Sequence, residues 1–212
     1  MSERRITLLA AYRKEKGMSA RRESQARVQK MAEAAAFRST DQTRHRCFIS
    51  YHVDDEAEVT KFLDDFGDQF IGTVVGVTAD DDFVDSDDTD YIMDQIRERY
   101  LGNTTVTIVL VGSCTWSRKF VDWEVYATLR RYKSFAPSGL VAINLPHMGK
   151  EGKLPSRVSD NVKGEDGYAR YWTYPSSKSS LRNWVQIAYD ARSTKTDLIG
   201  NSRERRKQNS AC

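Results

Sequence analysis

The stretch Thr104-Thr105-Val106-Thr107-Ile108-Val109-Leu110-Val111 is nearly all β-branched. Branching at Cβ restricts the side chain and suits the pleated surface of a strand. An almost unbroken apolar run suits a strand buried on both faces, as in a parallel sheet covered by helices. The sequence on either side fits that frame. Arg46–Tyr51 (RCFISY), Thr73–Thr78 (TVVGVT) and Leu140–Leu145 also read as strands. Between them, Ala57–Phe70 carries Phe62, Leu63, Phe66 and Phe70 at helical spacing, and Tyr91–Leu101 does so through Ile92 and Ile96. Ser117–Tyr132 and Leu181–Arg192 read as further helices. This alternation predicts an α/β fold with a mostly parallel five-stranded sheet flanked by helices.

Outside that frame the composition changes. Residues 4–36 are rich in Ala, Arg, Glu, Gln and Met, with no proline and a single glycine, Gly17. This favours helix, but the apolar stripe of Ile6, Leu9, Val28 and Met31 is thin. The segment reads as a helical arm that packs against a partner or the domain surface, followed by a linker at Arg38–Arg44. Residues 203–212 (RERRKQNSAC) read as a frayed, disordered tail. The expected organisation is therefore an arm and linker over 1–43, a domain over 44–202 that folds without the arm, and the tail.

Residues 1–46 hold 12 Lys/Arg against 5 Asp/Glu, whereas residues 47–98 hold 2 against 16. An acidic middle between basic ends is unlike a uniformly basic nucleic-acid binder, and such blocks are usually solvated faces. No run approaches the roughly 18 apolar residues of a membrane span. The apolar stretch near Met1 is too short for a signal peptide. Cys47, Cys114 and Cys212 suggest neither a paired framework nor a metal site, so the expectation is free thiols in a reducing, cytoplasmic compartment.

In open α/β sheets, ligands bind beyond the carboxyl ends of strands where the strand order reverses. With a flavodoxin-like order of 2-1-3-4-5, that point lies between the first and third strands. The loops there contain Ser50, Tyr51 and His52, and Ser113, Cys114 and Trp116. They mix hydroxyls with aromatics, which suits a polar ligand carrying flat rings. On the helix that follows, Val121, Val125, Thr128, Leu129 and Tyr132 share one face, with Glu124 at its edge. By periodicity alone Glu124 is a surface acid that reaches water, and Asp122 is an ordinary first-turn acid favoured by the helix dipole.

The strand CFISYHVDDE, the strand TVTIVLVG and the following SCTWSRKFVDWEV resemble the TIR-like family, which has a flavodoxin-like core. The branch most similar is the one containing the NAD-consuming TIR-like subunit of Thoeris antiphage systems. The resemblance continues through DGYARYWTYP and LRNWVQIAYDARSTKTDLIGNSR, covers roughly residues 44–205 and excludes the arm. It implies Glu124 as the catalytic glutamate, with Phe120 where the family usually has tryptophan and Val121 where it often has cysteine. It also implies NAD as substrate with no tightly bound cofactor, and an ADP-ribose-derived product, cyclic or linear. A phage-derived trigger, a signal-activated effector protein and self-association belong to the same expectation. The competing reading is a non-catalytic TIR-like module acting by self-association or partner docking.

The expected substrate-binding set is Phe48, Ser50, Tyr51, His52, Ser113, Trp116, Phe120 and Trp123. Phe48 and Ile49 read equally as core, and Ser50 as a helix cap. Trp116 and Trp123 flank the start of the helix, and one of them is expected to stack on a nucleotide ring. His45 and His147 read as structural or exposed, and Cys114 lacks the partner a thiol nucleophile needs. The acidic run Asp80–Asp90 lacks the glycine and terminal glutamate of a calcium-binding EF-hand loop, so no metal is expected there. It reads as a solvated loop; the resemblance implies the loop after the second strand, which lies over the substrate site or in assembly contacts, and its charge would repel the NAD pyrophosphate unless groups such as Arg118 or Lys119 offset it.

Overall fold

A computed structural model describes the backbone of residues 3–41, 43–133, 135–150 and 152–212, with side chains from residue 20 onward in those ranges. Helix α1 (Glu3–Ala36) leads into β1 (Arg46–Ser50), α2 (Glu56–Phe66) and the short β2 (Ile71–Thr73). Then come α3 (Thr89–Ile96), β3 (Val106–Val111), α4 (Lys119–Thr128) and β4 (Gly139–Asn144). The chain closes with α5 (Ser156–Asn161), β5 (Arg170–Trp172) and α6 (Lys178–Thr194). The five strands pair in parallel in the order β2-β1-β3-β4-β5, so the flavodoxin-like arrangement holds.

The period of two along the strands divides the core. Cys47 and Ile49 of β1, Ile108 and Leu110 of β3, and Val141 and Ile143 of β4 pack with Phe62 and Leu63 of α2 and Val185 of α6. On the opposite face, Val109, Val111 and Ala142 meet Val121 and Val125 of α4 and Val158 of α5. Phe48 joins Trp123 and the apolar stripe of α3 on that same side. All six residues of β3 are buried, as its composition predicts. At Gly139 no side chain fits, because the α6 backbone at Ala188 lies against the Cα.

Several expectations change. The strand read at Thr73–Thr78 sits earlier, at β2. The Val74 N–H donates to the side-chain oxygen of Gln29 (2.7 Å), so the ladder with β1 ends at Thr73. β5 is a three-residue, half-buried strand, too short to show alternation in the sequence. The helix read over Ser117–Tyr132 is the shorter α4.

The arm is a layer of the domain. Val28 and Ala32 are buried in the same core as β1 and α2, and Ala35 is buried beside them. The tail over 203–212 has no regular secondary structure, yet it is not frayed. Its Arg206 N–H donates to Asp122 (2.8 Å), its Arg206 carbonyl accepts from Trp123 Nε1 (2.7 Å), and its Ser210 N–H donates to the Ser117 carbonyl (3.0 Å). Cys114 and Cys212 form a disulfide with Cα atoms 5.2 Å apart. That pairing overturns the expectation of three free thiols, and with it the cysteine argument for a reducing compartment. Cys47 is free and buried. No helix among the described residues is long and apolar enough to cross a membrane.

Candidate functional site

Alternation along β1 decides what reaches the site. With Cys47 and Ile49 turned toward α2, Phe48 and Ser50 turn toward α4, at the carboxyl end of the strand beside β3. Glu124, midway along α4, meets them there. Its Oε2 accepts a 2.6 Å hydrogen bond from Ser50 Oγ. Its Oε1 accepts a 2.9 Å hydrogen bond from Arg21 Nη2, an ion pair reaching in from α1. The carboxylate is only 1% exposed, so the surface reading of Glu124 fails. The chain at Gly76 runs so close that a Cβ there would collide with Glu124 Oε1 and lie 2.9 Å from the Phe48 ring.

Burial pushes the Glu124 carboxyl above the ordinary glutamate range. The charge of Arg21, the Ser50 hydroxyl and the Val77 amide pull it back without cancelling that effect. A carboxylate held by defined donors and shielded from water is a preorganised negative charge.

The other expected residues separate into those near Glu124 and those elsewhere. Phe48 is fully buried beneath the carboxylate. Phe120 lies under the Arg21 guanidinium, whose carbon is 5.5 Å from the ring centroid, and meets Trp123 edge-on. Tyr51 is buried, and its hydroxyl pairs with Ser24 Oγ of α1 (2.8 Å). His52 contacts Asp54 (3.1 Å), and burial with the nearby Arg118 charge lowers its pKa. Trp123 is buried, with its indole N–H committed to the tail carbonyl of Arg206. Trp116 lies under the Lys153 ammonium, 3.1 Å from the ring centroid. It borders a cleft of about 230 Å³ shared with Asp122, Ser156 and the tail residues Arg203, Glu204 and Arg206.

Ser113 lies elsewhere again. Its Oγ is 3.1 Å from His147 Nε2, whose Nδ1 is 3.0 Å from Glu58. The residue types are those of a hydrolase relay, but the serine and histidine stand open at the surface. Among the described residues, no cluster of His, Cys, Asp or Glu could hold a metal ion. The acidic run is engaged with cations and hydroxyls, with Asp81 on Arg22 and Tyr100, Asp82 on Arg99, and Asp90 on Arg130.

Two features were missed in the sequence. Arg21 belongs to a stripe with Ser24, Gln25, Val28, Ala32 and Ala35, all of which are buried. The spacing is helical, but the residues are small or polar, so no apolar pattern stands out. Asp122, read as an ordinary first-turn acid, is paired with the fully buried Arg157 (3.0 Å).

Residues 48–150 match the family described as Thoeris protein ThsB, TIR-like domain, a span that opens in β1, closes just past β4 and contains both Ser50 and Glu124. No curated protein matches the chain.

Proposed function

We propose that this chain, which carries a TIR-like domain related to Thoeris antiphage defence, breaks the nicotinamide–ribose bond of NAD and releases an ADP-ribose-derived signal. The observation that supports this reading is Glu124, a buried carboxylate at the β1/β3 switch point, one oxygen of which is held by Ser50. Nicotinamide leaves NAD as a neutral group from a cationic ring, so departure needs no general acid. The transition state places positive charge on the ribose, as in glycoside cleavage. A fixed carboxylate stabilises that charge, or hydrogen-bonds the ribose hydroxyls as it develops. Phe48 and Phe120 supply apolar surface next to the carboxylate and restrict water. Water as nucleophile gives ADP-ribose, and attack from within the nucleotide gives a cyclic product.

The non-catalytic reading draws on the same carboxylate. Glu124 is paired with Arg21 and closed to solvent, as a purely structural glutamate would be.

Glu124→Gln separates the two. Glutamine keeps the length and helix preference while removing the charge. NAD loss and product formation should be followed chromatographically, with and without extract from phage-infected cells. Turnover should fall by at least about a hundredfold with the thermal melt preserved. A variant that turns over NAD at the wild-type rate sinks the catalytic reading.

A further inference from the structure

Arg21 sits where the reaction needs open space. Its Nη2 occupies Glu124 Oε1, its Nε donates to the Val77 carbonyl (3.2 Å), and its guanidinium covers the Phe120 ring. A carboxylate already neutralised by a guanidinium cannot at the same time stabilise a cationic ribose. Nor can the substrate ribose reach that oxygen while Arg21 is on it. The site is closed by a side chain of the same molecule.

The way α1 is fastened bears on whether it can leave. Near the site its contacts are polar and made by side chains: Arg22 to Thr78 and Asp81, Ser24 to Tyr51, Arg27 to Glu56 and Gln29 to Val74. Among its described side chains, the buried apolar anchors are small, namely Val28, Ala32 and Ala35, with Met31 partly buried against the same core. The Gln25 side-chain oxygen is buried without a hydrogen-bond partner, a cost that undocking relieves. A helix satisfies its own backbone internally, so lifting off leaves no amide of the arm unpaired and frees the Val74 N–H and the Val77 carbonyl of the surface beneath it.

We propose that residues 20–36 of α1 act as an intramolecular competitor of the substrate, with Arg21 as the plug on Glu124, and that nucleotide entry requires this helix to undock. The inference rests on Glu124 being the reacting carboxylate. It also gives the charge segregation a purpose: the basic arm docks on the acidic centre of its own chain. Substrate affinity is then reduced by the fraction of molecules in the open state.

The test compares wild type, Arg21→Ala and Arg21→Gln in the full chain, the glutamine variant keeping a long, hydrogen-bonding side chain without the charge if the truncation to alanine costs the fold. Two readouts are needed: trigger-independent NAD turnover, and the dissociation constant of carba-NAD, which cannot be cleaved at the glycosidic bond. Both variants should bind carba-NAD at least about tenfold more tightly and show at least about tenfold higher basal turnover. Tighter binding with no turnover in any protein, triggered or not, upholds the plug and removes the enzymatic reading. Normal wild-type turnover with unchanged affinity in both variants overturns the plug and leaves the enzymatic reading standing. Weaker binding makes Arg21 a substrate anchor and also overturns the plug.

Discussion

The two ends of the chain converge on one helix and are fastened to it by opposite means. α1 reaches Glu124 through side chains, using charged pairs, a hydroxyl contact and a few small buried residues. The tail reaches Asp122, Trp123 and Ser117 through its own backbone and is tied by the Cys114–Cys212 bond. A helix carries its backbone hydrogen bonds with it, whereas an irregular strap must borrow partners from the surface beneath. One end can therefore detach without breaking a hydrogen bond of its own backbone, at the cost of its side-chain contacts, including those to the Val74 N–H and the Val77 carbonyl, and of the burial of Val28 and Ala32. The other detaches only by breaking backbone hydrogen bonds as well. The difference favours motion in the arm and rigidity in the tail, around a helix that carries Glu124 between them.

The tail side offers the largest test. Arg157 is fully buried and binds Asp122, Asn201 (2.9 Å) and the Glu204 carbonyl (3.1 Å). Arg157→Ala leaves the Asp122 carboxylate largely buried and loosens the strap at two points. Urea denaturation should show a loss of about 3–5 kcal/mol. A loss below about 1 kcal/mol would mean that the tail is not part of the rigid body.

A smaller effect is expected from Cys212→Ser. The bond closes a loop between residues separated by 98 positions, and removing it from the oxidised protein should cost about 2–4 kcal/mol. The same substitution should change nothing once wild type and variant are both reduced with dithiothreitol. Equal stability under oxidising conditions would remove the covalent half of the contrast.

The smallest lies on the arm. Ser24→Ala deletes the hydroxyl contact to Tyr51 and should cost about 1 kcal/mol of stability in the same denaturation assay. Because that contact exists only in the docked state, basal NAD turnover should rise in parallel. A stability loss with no change in turnover would separate docking of the arm from access to Glu124.

The sheet was legible because its signals are local. β3 is β-branched but for Leu110 and apolar but for Thr107, and α2 repeats its aromatics at helical spacing, so element type and order follow without tertiary information. β2 was misplaced because its end is set by Gln29, a side chain 45 positions away in sequence. The position of Glu124 on α4 was visible as an edge of the apolar face. Its enclosure was not, since that depends on Arg21 from the arm and Ser50 from β1. The enclosure of Asp122 and Trp123 was hidden for a related reason. Their partners, Arg157 and the Arg206 carbonyl, lie in parts of the chain with no apolar pattern of their own.

Gly76 makes the site unusually sensitive to a change that alters none of its chemistry. A methyl group there would meet Glu124 Oε1 and press on Phe48, so any residue but glycine must shift either the loop or the carboxylate. Under selection for function in a randomised library, that position should therefore behave like Glu124 itself, although it contributes no reactive atom. In a library selected only for folding, the two positions should part company. Tolerance at residue 76 thus reports whether the carboxylate is retained for what it does or merely for where it fits.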